Sequence, residues 1–179
     1  MPFIKDGQIV ADQFVRVADD QPVPDATPVL LSAERLLREA DQLVIRAAPL
    51  GVVWPNNRNL VELLPYLQRL AVVGLVFPTF RDGRAYSQAR LLRERHGFRN
   101  ELRATGQVLR DQFLFLVRAG FDAFEVAKPT DAVAFTEVMR RFSVFYQPTG
   151  DGRMTVRRAR QATAVSFQRA APRAQDLPA

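Results

Sequence analysis

Along most of the chain, short apolar runs alternate with segments whose apolar residues recur at helical spacing, and this alternation predicts an α/β fold. The chain opens with FIKDGQIV, where Asp6 and Gly7 separate two short apolar runs. Such a pair supplies the positive φ angles of a tight turn, so residues 3–17 are read as a small β-hairpin. Asp19, Asp20, Pro22, Pro24 and Asp25 follow. Neither a helix interior nor a central strand accepts that composition, and the stretch is read as a connector.

From Pro28 onward the pattern predicts five strand–helix units. The strands are expected at 29–31, 51–54, 71–77, 101–104 and 122–126, and the helices at 33–44, 59–70, 86–96, 107–119 and 130–146. AVVGLVF, residues 71–77, is apolar on both faces, as strands in the middle of a parallel sheet are. Ser32 is placed to cap the first helix, Pro65 to kink or split the second, and Gly97 and Gly120 to stop the third and fourth. Strand–helix units joined by short loops predict a mainly parallel sheet with right-handed crossovers. An open sandwich and a partial (β/α) barrel both satisfy this string, and both place ligand sites at the C-terminal ends of the strands.

Residues 1–150 are expected to form a single α/β domain including the hairpin. Residues 151–179 turn to arginine, alanine, glutamine and proline. That stretch is read as a basic, largely irregular tail, with one short element over 156–165 and disorder over 171–179.

Composition narrows the chemistry. At 179 residues and 47% hydrophobic content the chain can bury one sizeable core. It has no cysteine, which removes disulfides, thiolate nucleophiles and cysteine metal sites, and its single histidine, His96, disfavours a multi-histidine metal centre or a serine triad. No metal site is expected. The net charge of +6 is carried almost wholly by arginine, since Lys5 and Lys128 are the only lysines, and arginine favours bidentate pairing with carboxylates and oxyanions. No apolar run is long enough to span a bilayer, the N-terminus does not read as a signal peptide, and a cytoplasmic location is expected. Nucleic acid is not an expected partner, because no aromatic platform accompanies the C-terminal arginines.

The candidate functional residues follow the predicted strands. Asn56 and Asn57 come after the second, Arg81, Asp82, Gly83, Arg84 and Ser87 after the third, and Thr105, Gly106 and Gln107 after the fourth, with Glu125 on or near the fifth. A glycine-turned loop running into an arginine-rich helix suits a small oxyanion or the phosphate of a nucleotide. The competing reading has Asp82 cap that helix and pair with Arg81 or Arg84. Asp111 and Gln112 precede FLFLV in a helix expected to be mostly buried, where a carboxylate needs a partner, with Arg103 or Arg110 as candidates. Glu101 with Arg103 poses the same choice between a structural and a catalytic pair. The chain has no G-x-G-x-x-G after a strand, no Walker-type loop, no H-E-x-x-H and no G-x-S-x-G.

FPTFRDGRAYSQARLLRERHGF, ELRATGQVLRDQ and RAGFDAFE, with looser similarity over GVVWPNN and the KDG turn, resemble the bacterial family of uncharacterised proteins called DUF 934. The resemblance covers most of residues 1–147. It rests on Phe77, Pro78, Phe80, Asp82, Gly83, Arg84, Tyr86, Ser87, Arg90, Arg93, Glu101, Arg103, Gly106, Asp111, Gln112, Gly120 and Phe121, and departs at Asn100, where many relatives carry glycine. Members are often labelled oxidoreductases and associated with assimilatory sulfite reduction. The resemblance therefore implies a sulfite-reduction-associated protein, here with a small oxyanion or phosphorylated ligand at the rim around Arg81, Asp82, Gly83, Arg84, Ser87, Gly106 and Gln112. Two alternatives stand beside it. One is an oxidoreductase holding a nicotinamide or flavin in a non-classical way, with Asp111, Tyr86 or Arg103 near the reacting atoms. The other is a non-enzymatic module whose helix 86–96 docks an acidic partner such as a sulfite reductase subunit. A homo-oligomer is compatible with each.

Overall fold

The computed structural model describes residues 2–5, 7–150 and 152–170, with only the backbone of 164–170. The hairpin forms as β1 (Phe3–Lys5) and β2 (Gln8–Val10), antiparallel to each other, with Gly7 at φ +77° in the turn. Each of the five expected strands is present: β4 (Val29–Ser32), β5 (Leu50–Trp54), β6 (Leu70–Phe77), β7 (Glu101–Gly106) and β8 (Ala123–Glu125). A sixth parallel strand, β3 (Val15–Arg16), precedes them. The sheet thus has eight strands rather than about five, in the order β2-β1-β8-β7-β6-β5-β4-β3, with β3 to β8 parallel and β1 antiparallel to β8.

That order decides between the two architectures. An open doubly wound sandwich reverses its winding partway, whereas β3 to β8 lie in chain order, so right-handed crossovers bring every connecting helix to one face. The sheet must also roll. Laid flat, eight strands span about 34 Å, yet four residues join β2 at one edge to β3 at the other and reach at most about 18 Å. The two edges are drawn together, and Arg16 on β3 meets Glu125 on β8 at 2.6 Å.

The faces of the rolled sheet differ. Ile4, Leu31, Val52, Trp54, Val73, Leu75, Leu102 and Phe124 point to the helix layer and form the apolar core with Leu36, Leu63, Ala89, Leu92, Leu116 and Phe135. The alternate residues, in register across the strands, line the concave face: Phe3, Leu30, Gly51, Val72, Gly74, Glu101, Arg103, Thr105 and Glu125.

The helices are shorter than the sequence predicts. The first breaks at Glu39 into α1 (Ala33–Arg38) and α2 (Ala40–Leu43), and Ser32 caps α1 as expected, its Oγ accepting from Arg35 N at 3.1 Å. Pro65 does split the second, but both pieces, Leu60–Glu62 and Leu64–Arg69, wind as 3₁₀ turns. The third starts two residues early as α3 (Arg84–Arg90), and its last turn, Leu91–Arg95, widens so that His96 N reaches Leu91 O. Gly97, at φ +65°, ends it. α4 (Phe113–Ala119) follows a 3₁₀ turn at Arg110–Gln112 and stops at Gly120, while α5 (Asp131–Arg141) ends short of 146. The segment expected to be largely irregular carries α6 (Val156–Ala170), and the expectation for 171–179 lies outside the described residues. Among the described residues no helix is long and apolar enough to cross a membrane.

Candidate functional site

Strand β7 reads Glu-Leu-Arg-Ala-Thr-Gly, and the pleat sends Leu102 and Ala104 into the helix-side core while Glu101, Arg103 and Thr105 enter the concave face. Barrel-like interiors are ordinarily filled by branched apolar side chains. This one is ionic. Arg103 is 1% exposed and stacks its guanidinium 4.2 Å from the centre of the Phe3 ring. Its Nη1 and Nη2 donate to both oxygens of Asp12 at 2.5 and 3.0 Å, its Nε and Nη2 to Glu101 Oε1 at 3.1 and 2.9 Å, and Nη1 also to Glu125 Oε1 at 3.4 Å. Lys5 Nζ closes on the other oxygen of Glu101 at 2.9 Å.

At the C-terminal end of the strands, Arg16 Nη2 lies 2.6 Å from each oxygen of Glu125. The Thr105 hydroxyl donates to Glu125 Oε2 at 2.6 Å and accepts from Arg16 at 3.3 Å. Three cations and three carboxylates therefore form one chain of contacts from Lys5 to Arg16. Burial acts to raise the Asp12 pKa, but hydrogen bonds from Arg103 and the Phe14 N–H and the charges of Arg103 and Arg16 outweigh it and hold the pKa below the usual carboxylate value. Burial likewise opposes the charge on Arg103, and its bonds to Asp12 and Glu101 more than restore it. Residues 11–14 carry Asp12 and Phe14 across the concave face as they link the sheet edges. A cavity of about 360 Å³ remains there, lined by Phe3, Asp12, Arg16 and Glu125.

The loop after β6 has the geometry of the competing reading. Arg84 forks onto Asp82 with Nε at 2.9 Å and Nη2 at 2.6 Å, and Asp82 Oδ1 accepts the Arg84 N–H at 3.3 Å. The hydrogen bond from Arg84 is the main reason that the Asp82 carboxyl lies far below the usual range, with Asn56 contributing. Gly83 ends the turn, Ser87 is exposed on α3, and Arg81 is exposed with its guanidinium 5.4 Å from the Phe80 ring. Gln107 and Gln112 bracket Phe80: the first accepts its N–H and the second donates to its carbonyl, each at 3.2 Å. Gly106, at φ +92°, passes so close that a Cβ would stand 2.4 Å from Phe77 O. Asn56, Arg81, Asp82, Gly83, Arg84, Gly106 and Gln112 thus belong to one rim, whereas Ser87 lines a separate groove along α3 with Arg90, Leu91 and Glu94.

The three catalytic candidates do not converge. Tyr86 packs edge-on against Phe77, on the helix side of the sheet, at 5.2 Å, and burial together with the charge of Asp111 pushes its hydroxyl up to about 12. Arg103 lies on the other side of the sheet. Asp111, expected to be buried, is exposed on the 3₁₀ turn before α4, and neither expected partner reaches it, since Arg103 is engaged in the concave face and Arg110 binds Asp131 at 2.5 Å. Asp12, Arg16 and Lys5 escape a reading confined to strand ends. The available signal was the polar alternation Glu101, Arg103, Thr105, which demands partners from another element.

A larger cavity, about 660 Å³, opens at the N-terminal end of β8, lined in part by Arg93, Arg99, Asp122 and Arg153. Arg93 is committed there to the carbonyls of Phe98, Asn100 and Gly120 and to Asp122. That end of a parallel sheet ordinarily serves stability. Among the described residues no group of three or more metal-ligating side chains assembles.

A family model described as a bacterial protein of unknown function (DUF934) matches residues 51–157. No curated protein and no solved structure matches the chain.

Proposed function

This chain belongs to the DUF934 family of bacterial proteins, and from that premise we propose that it is an accessory of sulfite reduction which binds a small oxyanion or phosphorylated ligand at the C-terminal ends of its parallel strands. Arg16 is the principal contact, with Glu125 and Asp12 beside it. The observation that carries this reading is the ionic lining of the concave face. Buried ion networks are costly to desolvate, and apolar side chains of similar volume would hold a rolled sheet as well or better. Arg16 uses one terminal nitrogen on Glu125 and Thr105, and its side chain keeps 52% of its surface exposed beside the cavity.

A guanidinium flanked by two carboxylates selects among anions. The arginine takes the charge, while Asp12 and Glu125 accept hydrogen bonds and repel an anion that has none to give. Hydrogen phosphate and hydrogen sulfite carry a proton and fit; sulfate, fully deprotonated near neutral pH, does not. The resemblance to proteins linked with sulfite reduction favours hydrogen sulfite. Calorimetric titration of the full chain with sulfite, phosphate and sulfate tests this. Binding of the first two, lost in Arg16→Gln and kept in Arg84→Ala, is the expected result. Loss in Arg84→Ala alone would move the site to the loop after β6, and preference for sulfate would refute the selection argument.

A further inference from the structure

Phe145 pairs with Thr155 across an isolated parallel bridge, with Phe145 N on Met154 O at 2.9 Å and Val156 N on Phe145 O at 2.8 Å. In the extended backbone of that bridge successive side chains face opposite ways. Phe145 is buried beneath the guanidinium of Arg118, 4.3 Å from the ring centre, and Tyr146 is 86% exposed. The bridge sets Tyr146 against the first turn of α6, where Arg157, Arg158 and Arg160 line the same groove of about 720 Å³. Among the described residues no carboxylate lines it, and none of these three arginines makes an ion pair.

We propose that this groove is a nucleotide site, with the base stacked on Tyr146 and the phosphates held by Arg157, Arg158 and Arg160. The volume suits a ligand of that size. Guanidinium groups match phosphate oxygens bidentately, and an aromatic ring left almost wholly in water gains most from a planar partner. An acidic peptide would answer the charge but not the ring. A nucleic-acid strand would need further stacking platforms beyond the one turn of helix that the groove spans. The site is independent of the concave face.

The test is calorimetry of the full chain with AMP, ADP and ATP. The wild type is expected to bind at least ADP, Tyr146→Ala and the pair Arg158→Gln with Arg160→Gln each to bind about tenfold more weakly, and affinity to fall between about 50 and 200 mM salt. All three side chains are exposed, so the melting temperature should not move; this separates lost binding from lost folding. Arg16→Gln should bind as the wild type does. No heat with any nucleotide, unchanged affinity in Tyr146→Ala, loss in Arg16→Gln, or tighter binding of a single-stranded oligonucleotide or an acidic peptide than of ADP would each overturn the assignment.

Discussion

Replacing Arg103 with methionine removes a guanidinium that contacts three carboxylates while nearly filling its space. The partners are Asp12 at 2.5 Å, Glu101 at 2.9 Å and Glu125 at 3.4 Å, and Glu101 and Glu125 are themselves nearly buried. Removing one partner of a buried pair costs about 3–5 kcal/mol, a large share of the roughly 5–15 kcal/mol that holds a domain together. At this chain length the melting temperature should fall by roughly 6–20 °C. The pH dependence identifies the cause. In the wild type the folded pKa of Asp12 lies below its unfolded value, so its contribution is present above the ordinary carboxylate value of about 3.9 and is lost as pH falls through the lowered folded value. Without Arg103 the burial effect on Asp12 remains while the main bond opposing it is gone, so its folded carboxylate binds a proton more readily than the unfolded one. The deficit of the variant should therefore shrink from about pH 7 to about pH 4. Urea unfolding across that range measures it. Glu101 keeps Lys5 and Glu125 keeps Arg16, so Asp12 is the carboxylate left without its ion pair, and adding Asp12→Asn to the methionine variant should recover much of the loss. A deficit that does not change with pH, or no recovery, would refute the claim that uncompensated charge is the cost.

Tyr86→Phe tests the helix side of the sheet. The Tyr86 hydroxyl is pushed up to about 12, so the wild type should lose stability as pH rises from the unfolded value of about 10 towards 12, and the variant should lose less. Equal alkaline losses in both proteins would contradict the burial assigned to Tyr86. Two glycines should respond in opposite senses to alanine. At Gly106 the positive φ and the 2.4 Å approach to Phe77 O should cost about 1–3 kcal/mol or more. At Gly74 a Cβ meets nothing closer than 3.6 Å, so the change should be neutral or stabilise by up to about 1 kcal/mol, since glycine weakens a strand interior. Chemical unfolding of both variants decides whether β6 and β7 are packed as described.

The strands that the sequence discloses are those whose residues are apolar on both faces, β4 to β6 above all, because burial on two sides leaves a continuous apolar run. Strand β3 was hidden: two residues long and largely exposed, it has no pattern to show, and its arginine is explained by Thr105 and Glu125, 89 and 109 positions away. The arginine of the loop after β6 suggested an anion site, yet Asp82, two residues before Arg84, is enough to occupy it. Asp111 was misjudged through its neighbours. FLFLV is apolar throughout, but the helix turns Phe115 outward at 65% exposure, and the preceding turn leaves Asp111 in solvent. The rolling of the sheet depends on a four-residue link whose meaning appears only once β1 is known to pair with β8.

That pairing also fixes an order of events during synthesis. β1 lies beside β8, about 120 residues later in the chain, whereas β4, β5, β6 and β7 can each add to a neighbour already made. At a ribosomal rate of about 5–20 residues per second, the hairpin waits roughly 6–24 s for its partner strand to be made. Until then Phe3 and Ile4 have no sheet to join, and Arg103 emerges before Glu125. The nascent chain can build its parallel layer strand by strand from β3 towards β8, but the ionic interior is assembled last, when β1 returns to pair with β8.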